Sequence, residues 1–175
     1  MFFGAHCSGG VKKAIDHATE IGANALQLFV QSPRAWRFPD HDPADLAAFR
    51  ERRKEAGLGG VLVHSLYLVN LASPNDDFYE KSVYTMRRTV ETSCAIEAEG
   101  VVLHVGSFQG TGVEAGMDRV VPALESILEL CSEPTHSIPV VSSSTAERSI
   151  FAHLRMRSVT ESDLCRKIAN NRRCF

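Results

Sequence analysis

Three predicted strands of the sequence end in a histidine. His6 follows the apolar run "FFGA", His64 follows "VLV" and His104 follows "VVL". In parallel α/β folds the carboxyl ends of the strands form the active face, so we expect these side chains at one rim of one sheet. Neutral imidazole is a common zinc ligand. One such histidine alone would indicate a hydrogen-bonded rim residue, whereas three equivalent positions favour a metal site.

The remaining four histidines lie outside this pattern. Their positions on a helix, in a proline-flanked loop, in "EPTHSIP" and in the last part of the chain predict surface or structural roles for His17, His41, His136 and His153.

The second chemical feature is the loop "QSPRAWRF", which follows the second predicted strand. Arg34 and Arg37 could pair with phosphates, and Trp36 could stack on bases. The alternative is a tryptophan that packs on the rim between two solvated arginines. Tyr67 comes three residues after His64, where it could reach the same cleft or pack on a neighbouring helix.

Five short apolar strands, "FFGAH", "ALQLFV", "GVLVH", "VVLH" and "IPVVS", alternate with amphipathic helices over residues 1–142. The third helix is predicted to continue to Gly100. This alternation is typical of a parallel sheet with helices outside it, either an open doubly wound sheet or a (β/α)8 barrel. At about 30 residues per βα unit, five units amount to roughly half of a barrel. Glycine-rich nucleotide-binding motifs do not follow the first strand.

Composition limits the class of protein. The chain has 175 residues and a net charge of −2, as expected for one α/β domain without a global signal for nucleic acid. Apolar runs long enough for a membrane span are absent, and the amino terminus does not resemble a signal peptide. The five cysteines form no Cys-x-x-Cys pair, which indicates reduced thiols in a cytoplasmic protein.

The pattern changes after residue 142. Residues 143–175 carry seven Lys and Arg against three Asp and Glu, whereas residues 1–142 carry twelve against eighteen. No clean alternation of strands and helices continues there. We therefore predict a domain over 1–142 and an atypical, poorly packed basic tail over 143–175. The tail could be a nucleic-acid-binding arm, or it could be read out of frame.

Four segments carry a resemblance to a known family. "GAHCS", "LQLFVQSPRAWR", "VHSLYLVNLASP" and "VVLHVGSFQGTG" closely resemble endonuclease IV, in the family order and with family-like spacing. The resemblance implies an α/β fold, a (β/α)8 TIM barrel of the xylose-isomerase-like type. It also implies a monomeric base excision repair enzyme. Such an enzyme hydrolyses the phosphodiester 5′ of abasic sites in double-stranded DNA at a cluster of three Zn²⁺ ions.

The resemblance also implies roles for individual residues. His64 and His104 stand at zinc-binding positions of the family. Arg34 and Tyr67 stand in loops that enter DNA at the lesion, and Asn70 matches an asparagine beside the site.

Some residues depart from the family pattern. Ser143 stands where the family has a metal-bridging glutamate, and Phe108 stands where many members have a second histidine. The Asp, His and Glu ligands of later strands have no counterpart. We therefore expect at most a partial zinc site and impaired activity. The alternatives are a metal-dependent sugar isomerase or epimerase of the same barrel type, a non-catalytic DNA-binding fragment and a non-functional truncated product. The loop "QSPRAWR" favours DNA over a sugar.

Overall fold

The computed structural model describes residues 2–131 and 140–142. His136, Ser143, His153 and the predicted tail 143–175 lie outside the described residues. Within them, five strands form one parallel sheet: β1 Gly4–His6, β2 Ala25–Leu28, β3 Gly60–His64, β4 Gly100–Leu103 and β5 Val140–Ser142. The division of the chain at residue 142 stays a prediction.

The strand order decides between the two architectures that the sequence left open. The strands follow one another as β1-β2-β3-β4-β5, with each strand paired to its neighbour in sequence. An open doubly wound sheet reverses its order at a switch point, whereas a barrel keeps winding in one direction. The predicted fold class, α/β with part of a TIM barrel, is therefore confirmed.

Four helices connect the strands: α1 Gly10–Glu20, α2 Pro43–Glu55, α3 Asp76–Ala95 and α4 Val113–Leu128, followed by a 3-10 turn over Glu129–Cys131. Two of these helices begin at side-chain caps. The Asp42 carboxylate accepts from the Ala44 amide at 2.9 Å, and the Asn75 side chain accepts from the Phe78 amide at 3.0 Å. Such caps satisfy amide groups that have no partner within the helix.

The prediction that α3 continues to Gly100 was wrong. The helix ends at Ala95, Glu97 adopts a φ of 56°, and Gly100 is the first residue of β4. Arg50 and Arg53 of α2 donate to the carbonyls of Ala95 and Glu97. The helix is closed by its own backbone, because the amides of Glu97 and Ala98 donate to the carbonyls of Cys94 and Ser93, and the two arginines bind further carbonyls at this end.

The two faces of the sheet are buried to different degrees. Leu28, Val63, Val101 and Leu103 are completely buried and form the core with the helices. The side chain of Leu62, which alternates with Val61 and Val63 along β3, is 38% exposed. Successive side chains on a strand point to opposite faces. The helices therefore cover one face, while the other is more open to solvent among the described residues.

Two further features bear on the sequence predictions. None of the helices in the described part of the chain is long and apolar enough to cross a membrane. Among the described residues, Cys7 and Cys94 form no disulfide, and Cys7 is buried.

Candidate active site

The strand-end histidines meet at the carboxyl rim of the sheet. His6 and His64 are the last residues of β1 and β3, and His104 directly follows β4. The ring centroids of His64 and His104 are 5.3 Å apart, and those of His6 and His64 are 6.2 Å apart. Parallel pairing brings them together because all of these strands end at the same edge.

His64 is held in one orientation. Its side chain is only 8% exposed, and Nδ1 lies 2.7 Å from the Ser65 carbonyl oxygen. A carbonyl can only accept, so Nδ1 carries the proton and Nε2 keeps its lone pair. Burial lowers the pKa of the His64 imidazole below its ordinary value. The nearby His104 and His6 lower it further, against the opposing effect of the Ser65 hydrogen bond. A neutral ring with an oriented lone pair is the form that binds a metal.

His6 is placed differently. It is exposed, and its Nδ1 lies 3.0 Å from Oε1 of Gln27, its register partner on β2. A cavity of about 890 Å³ opens beside it, between the loops that follow β1 and β2. His6 therefore lies on the active face, but at its open side.

The described residues fit part of a zinc site. His64 and His104 converge, as two ligands of one metal must, since Zn–N distances are about 2.0–2.1 Å. Among residues 2–131, however, no group of three His, Cys, Asp or Glu side chains is arranged to hold a metal ion. The pair is compatible with one side of a coordination sphere, and these residues do not supply a cluster of three zinc ions.

Two aromatic rings stand against the histidines. Tyr67 is 59% exposed, and its ring lies 5.1 Å from that of His64 and 5.2 Å from that of Phe29. Phe29 in turn lies 4.7 Å from His6 and 5.1 Å from His64. The sequence interpretation did not single out Phe29. Its position directly after β2 is the signal that could have found it, because the residue after a strand also reaches the rim.

The loop that follows β2 separates into packed and exposed side chains. Trp36 is half-buried against the core, with its ring edge-on to Phe78 at 5.8 Å. Arg34 and Arg37 are exposed. The tryptophan thus has the placement expected of rim packing, and the two arginines remain available to a ligand. The contact of all three with DNA stays a prediction.

Asn70 lies between two loops. Its Oδ1 accepts from the amides of Ser107 at 2.9 Å and Ala72 at 3.1 Å, and its Nδ2 donates to the Ser107 carbonyl at 3.0 Å. The side chain therefore holds the loop after β4 against the loop after β3. Its contact with DNA also stays a prediction.

The structural roles predicted for two other histidines agree with their hydrogen bonds. His17 Nδ1 accepts from the Ser8 amide at 3.0 Å, across the start of α1. His41 Nε2 lies 2.7 Å from the Val30 carbonyl oxygen, which ties the end of the β2 loop to its beginning.

Comparison with known proteins adds three findings. Residues 15–137 match the family described as xylose isomerase-like TIM barrel. A protein of Halothermothrix orenii named "Probable endonuclease 4" is 37% identical over 129 residues, which are 73% of this chain and 46% of that protein. The crystal structure of endonuclease IV from Thermus thermophilus superposes with a TM-score of 0.66 at 31% identity, covering 80% of this chain and 49% of that one.

A more distant neighbour shows the fold alone. A D-tagatose 3-epimerase-like protein superposes with a TM-score of 0.61 at 20% identity, over 81% of this chain and 52% of that one. The chain spans about half the length of the relatives that it matches. The resemblance to endonuclease IV over the amino-terminal part of that family is confirmed.

Proposed function

We propose a function on one premise: this chain belongs to the xylose isomerase-like TIM barrel family. Two of its relatives, at 37% and 40% identity, are named "Probable endonuclease 4". The chain provides the amino-terminal part of a zinc-dependent DNA repair endonuclease, which hydrolyses the phosphodiester 5′ of an abasic site. We expect it to be impaired in this reaction, because Ser143 stands at the position of the family's metal-bridging glutamate.

One observation carries the proposal. Tyr67 is exposed while its ring stands 5.1 Å from the buried imidazole of His64. An aromatic ring that reaches solvent beside two neighbouring imidazoles is suited to stack on a base while the neighbouring phosphate reaches the metal position. An abasic nucleotide has lost its own stacking, so moving it out of the helix costs less than moving a normal nucleotide.

The exposed arginines support nucleic acid as the substrate. Arg34 and Arg37 belong to the loop after β2, on the same rim as Tyr67. Guanidinium groups form paired hydrogen bonds with phosphate oxygens. Asn70 stands beside this surface and shapes the loop that carries Tyr67.

His64 and His104 would hold one Zn²⁺ ion. A bound zinc lowers the pKa of its water to about 7 and offsets charge on the attacked phosphate. The protein contributes the oriented lone pair of His64, through the hydrogen bond from Nδ1 to the Ser65 carbonyl. Ser143, at the position of the family's bridging glutamate, and the basic segment 143–175 lie outside the described residues, and their proposed roles rest on the sequence.

Two other functions remain outcomes of the test. A sugar isomerase or epimerase would share the barrel, but the epimerase neighbour supports the fold alone. A non-catalytic DNA-binding fragment would keep the arginine loop without incision.

The test is binding and incision of a duplex with one abasic site, beside the same duplex with an intact base, with and without added Zn²⁺. We expect tighter binding to the abasic duplex and little incision. Equal affinity for both duplexes would contradict the proposal, and conversion of a ketose with no effect on DNA would establish the sugar enzyme.

A further inference from the structure

The loops that follow β3 and β4 are joined beyond the end of the sheet. Leu71 donates its amide to the Val105 carbonyl at 2.8 Å, and the Asn70 side chain both donates to and accepts from the Ser107 backbone. We call these three hydrogen bonds the Asn70 latch. They are made by residues 34 to 37 positions apart in the chain, so they depend on the tertiary fold.

Hydrogen bonds to the β3 side hold the backbone both before and after His104. The ladder between β3 and β4 ends with the bond from the Ser65 amide to the Val102 carbonyl, at 2.9 Å. His104 lies beyond that bond, and Val105, the next residue, is already held by Leu71. On the side facing β3, the backbone of His104 is therefore fixed both before and after the residue.

A side-chain amide can both donate and accept hydrogen bonds, and Asn70 does both between the two loops. Its side-chain amide pairs with the Ser107 backbone as a neighbouring strand would: Nδ2 donates to the Ser107 carbonyl and Oδ1 accepts from the Ser107 amide. Oδ1 also accepts from the Ala72 amide and so closes a turn. The backbone amide of Asn70 donates to the Ser82 hydroxyl of α3 at 2.9 Å. One residue thus ties both loops to a helix.

Gly106 makes room for the latch. It adopts a φ of +97°, and a Cβ atom there would stand 2.1 Å from Asn70 Oδ1. Any other residue at 106 would be strained in its backbone and would displace the Asn70 side chain. The position of the Asn70 side chain therefore depends on a glycine at position 106.

We infer that Asn70 is a positioning residue, which sets the spacing of His64 and His104 through the latch and thereby the affinity of the pair for a divalent metal. The inference rests on the proposed function only in taking the metal as the ligand. The separation of the two rings in the metal-free protein is independent of it.

The experiment compares three variants of the full chain with the parent. Asn70→Ala removes the two latch bonds made by its side chain and keeps the backbone bond between Leu71 and Val105. Gly106→Ala displaces the Asn70 side chain sterically without changing its chemistry. Asn75→Ala is the matched control, since it removes an asparagine that caps α3 and has no bond to Ser107. Urea midpoints show how much stability each variant has lost.

The first measurement is Co²⁺ titration, followed by visible absorption. Loss of partners that orient metal ligands lowers affinity by about 10- to 100-fold. We expect a loss of about that size for Asn70→Ala and Gly106→Ala, and less than about twofold for Asn75→Ala. The second measurement needs no metal: the nuclear Overhauser effect between the His64 and His104 rings, which should weaken only in the first two variants.

The outcomes separate the two ideas. If the parent binds no Co²⁺, the metal part of the proposed function fails, and the ring-to-ring effect alone judges the latch. An unchanged ring-to-ring effect in folded Asn70→Ala overturns the inference. An equal loss of affinity in Asn75→Ala does so as well. If Asn70→Ala does not fold, Gly106→Ala decides in the same way.

Discussion

The strand-end histidines form a row in the order His6, His64 and His104, and the two sides of this row are built differently. On the side of His64 and His104, His64 is 8% exposed, its Nδ1 is bound to the Ser65 carbonyl, and the loop carrying His104 is joined to the neighbouring loop. At the other end His6 is exposed, contacts one glutamine and borders a cavity. β3 has paired strands on both sides, whereas β1 pairs only with β2 among the described residues.

The difference shows that one sequence pattern does not assign one role. All three histidines end apolar strands, yet His64 is buried with a fixed ring orientation while His6 is exposed at the open side of the rim. A ligand is effective when its orientation is fixed before the metal arrives. The number of neighbouring elements, not the residue type, separates the two ends.

The largest expected effect concerns incision. The described residues offer two neighbouring imidazoles and no group of three metal ligands, so an attacked phosphate would lack much of its electrostatic stabilisation. We expect the chain to cleave an abasic duplex at least about 1000-fold more slowly than the endonuclease IV of Thermus thermophilus, given that single stabilising groups are worth about 100- to 1000-fold. The measurement is single-turnover cleavage with added Zn²⁺. A comparable rate would mean that residues outside 2–131 complete the site.

The next effect tests the comparison of the two ends directly. His64→Ala should lower Zn²⁺ affinity by about 100-fold or more, because it removes a ligand, which costs more than loss of an outer partner. His6→Ala should lower it by only a fewfold. Competition with a chromophoric chelator measures both. If the His6 variant loses as much affinity as the His64 variant, the open end of the row also binds metal.

A smaller effect is expected for the DNA-facing side chains. Tyr67→Ala should weaken binding to an abasic duplex by about tenfold, since stacking on a base is worth about 1–3 kcal/mol. Binding to an intact duplex should change less. Tyr84→Ala is the matched control, because Tyr84 is 58% exposed and lies on α3.

Arg34→Ala should likewise weaken binding to the abasic duplex more than binding to the intact one, with exposed Lys81→Ala as the charge control. Fluorescence anisotropy on both duplexes measures the variants. Equal losses on the two duplexes would reduce Tyr67 and Arg34 to general phosphate or structural contacts.

The smallest effect is the pH dependence of stability in the metal-free protein. The pKa of His64 is lowered in the folded state, so the unfolded chain takes up a proton at a higher pH than the folded one. The stability due to neutral His64 is present above pH 6.5, its ordinary pKa, and is lost as pH falls below that value. For one proton the slope cannot exceed about 1.4 kcal/mol per pH unit. Urea unfolding of the parent and of His64→Gln between pH 7 and 5 should give converging stabilities; parallel curves would rule this contribution out.

Much of the fold could be predicted because it depends on local patterns. Apolar runs of strand length, helical periodicity and caps such as Asp42 with Pro43 are read from neighbouring residues. The end of α3 was predicted too late, because the residue that adopts the left-handed conformation there is Glu97 and not a glycine, and Arg50 and Arg53 from another helix bind the carbonyls around it. The placement of Trp36 against Phe78 likewise depends on a contact that no local pattern contains.

The sequence by itself determined that three histidines end parallel strands, and hence that their side chains meet at one rim. Strand periodicity and the parallel connection are sufficient for that. Only the tertiary structure decided how deeply each of the three is buried and what holds it. That outcome depends on bonds between residues far apart in the chain, such as Asn70 and Ser107, and on the number of strands and loops packed around each ring. Such contacts form only once the sheet is assembled, because each is made between two loops that the sheet brings together.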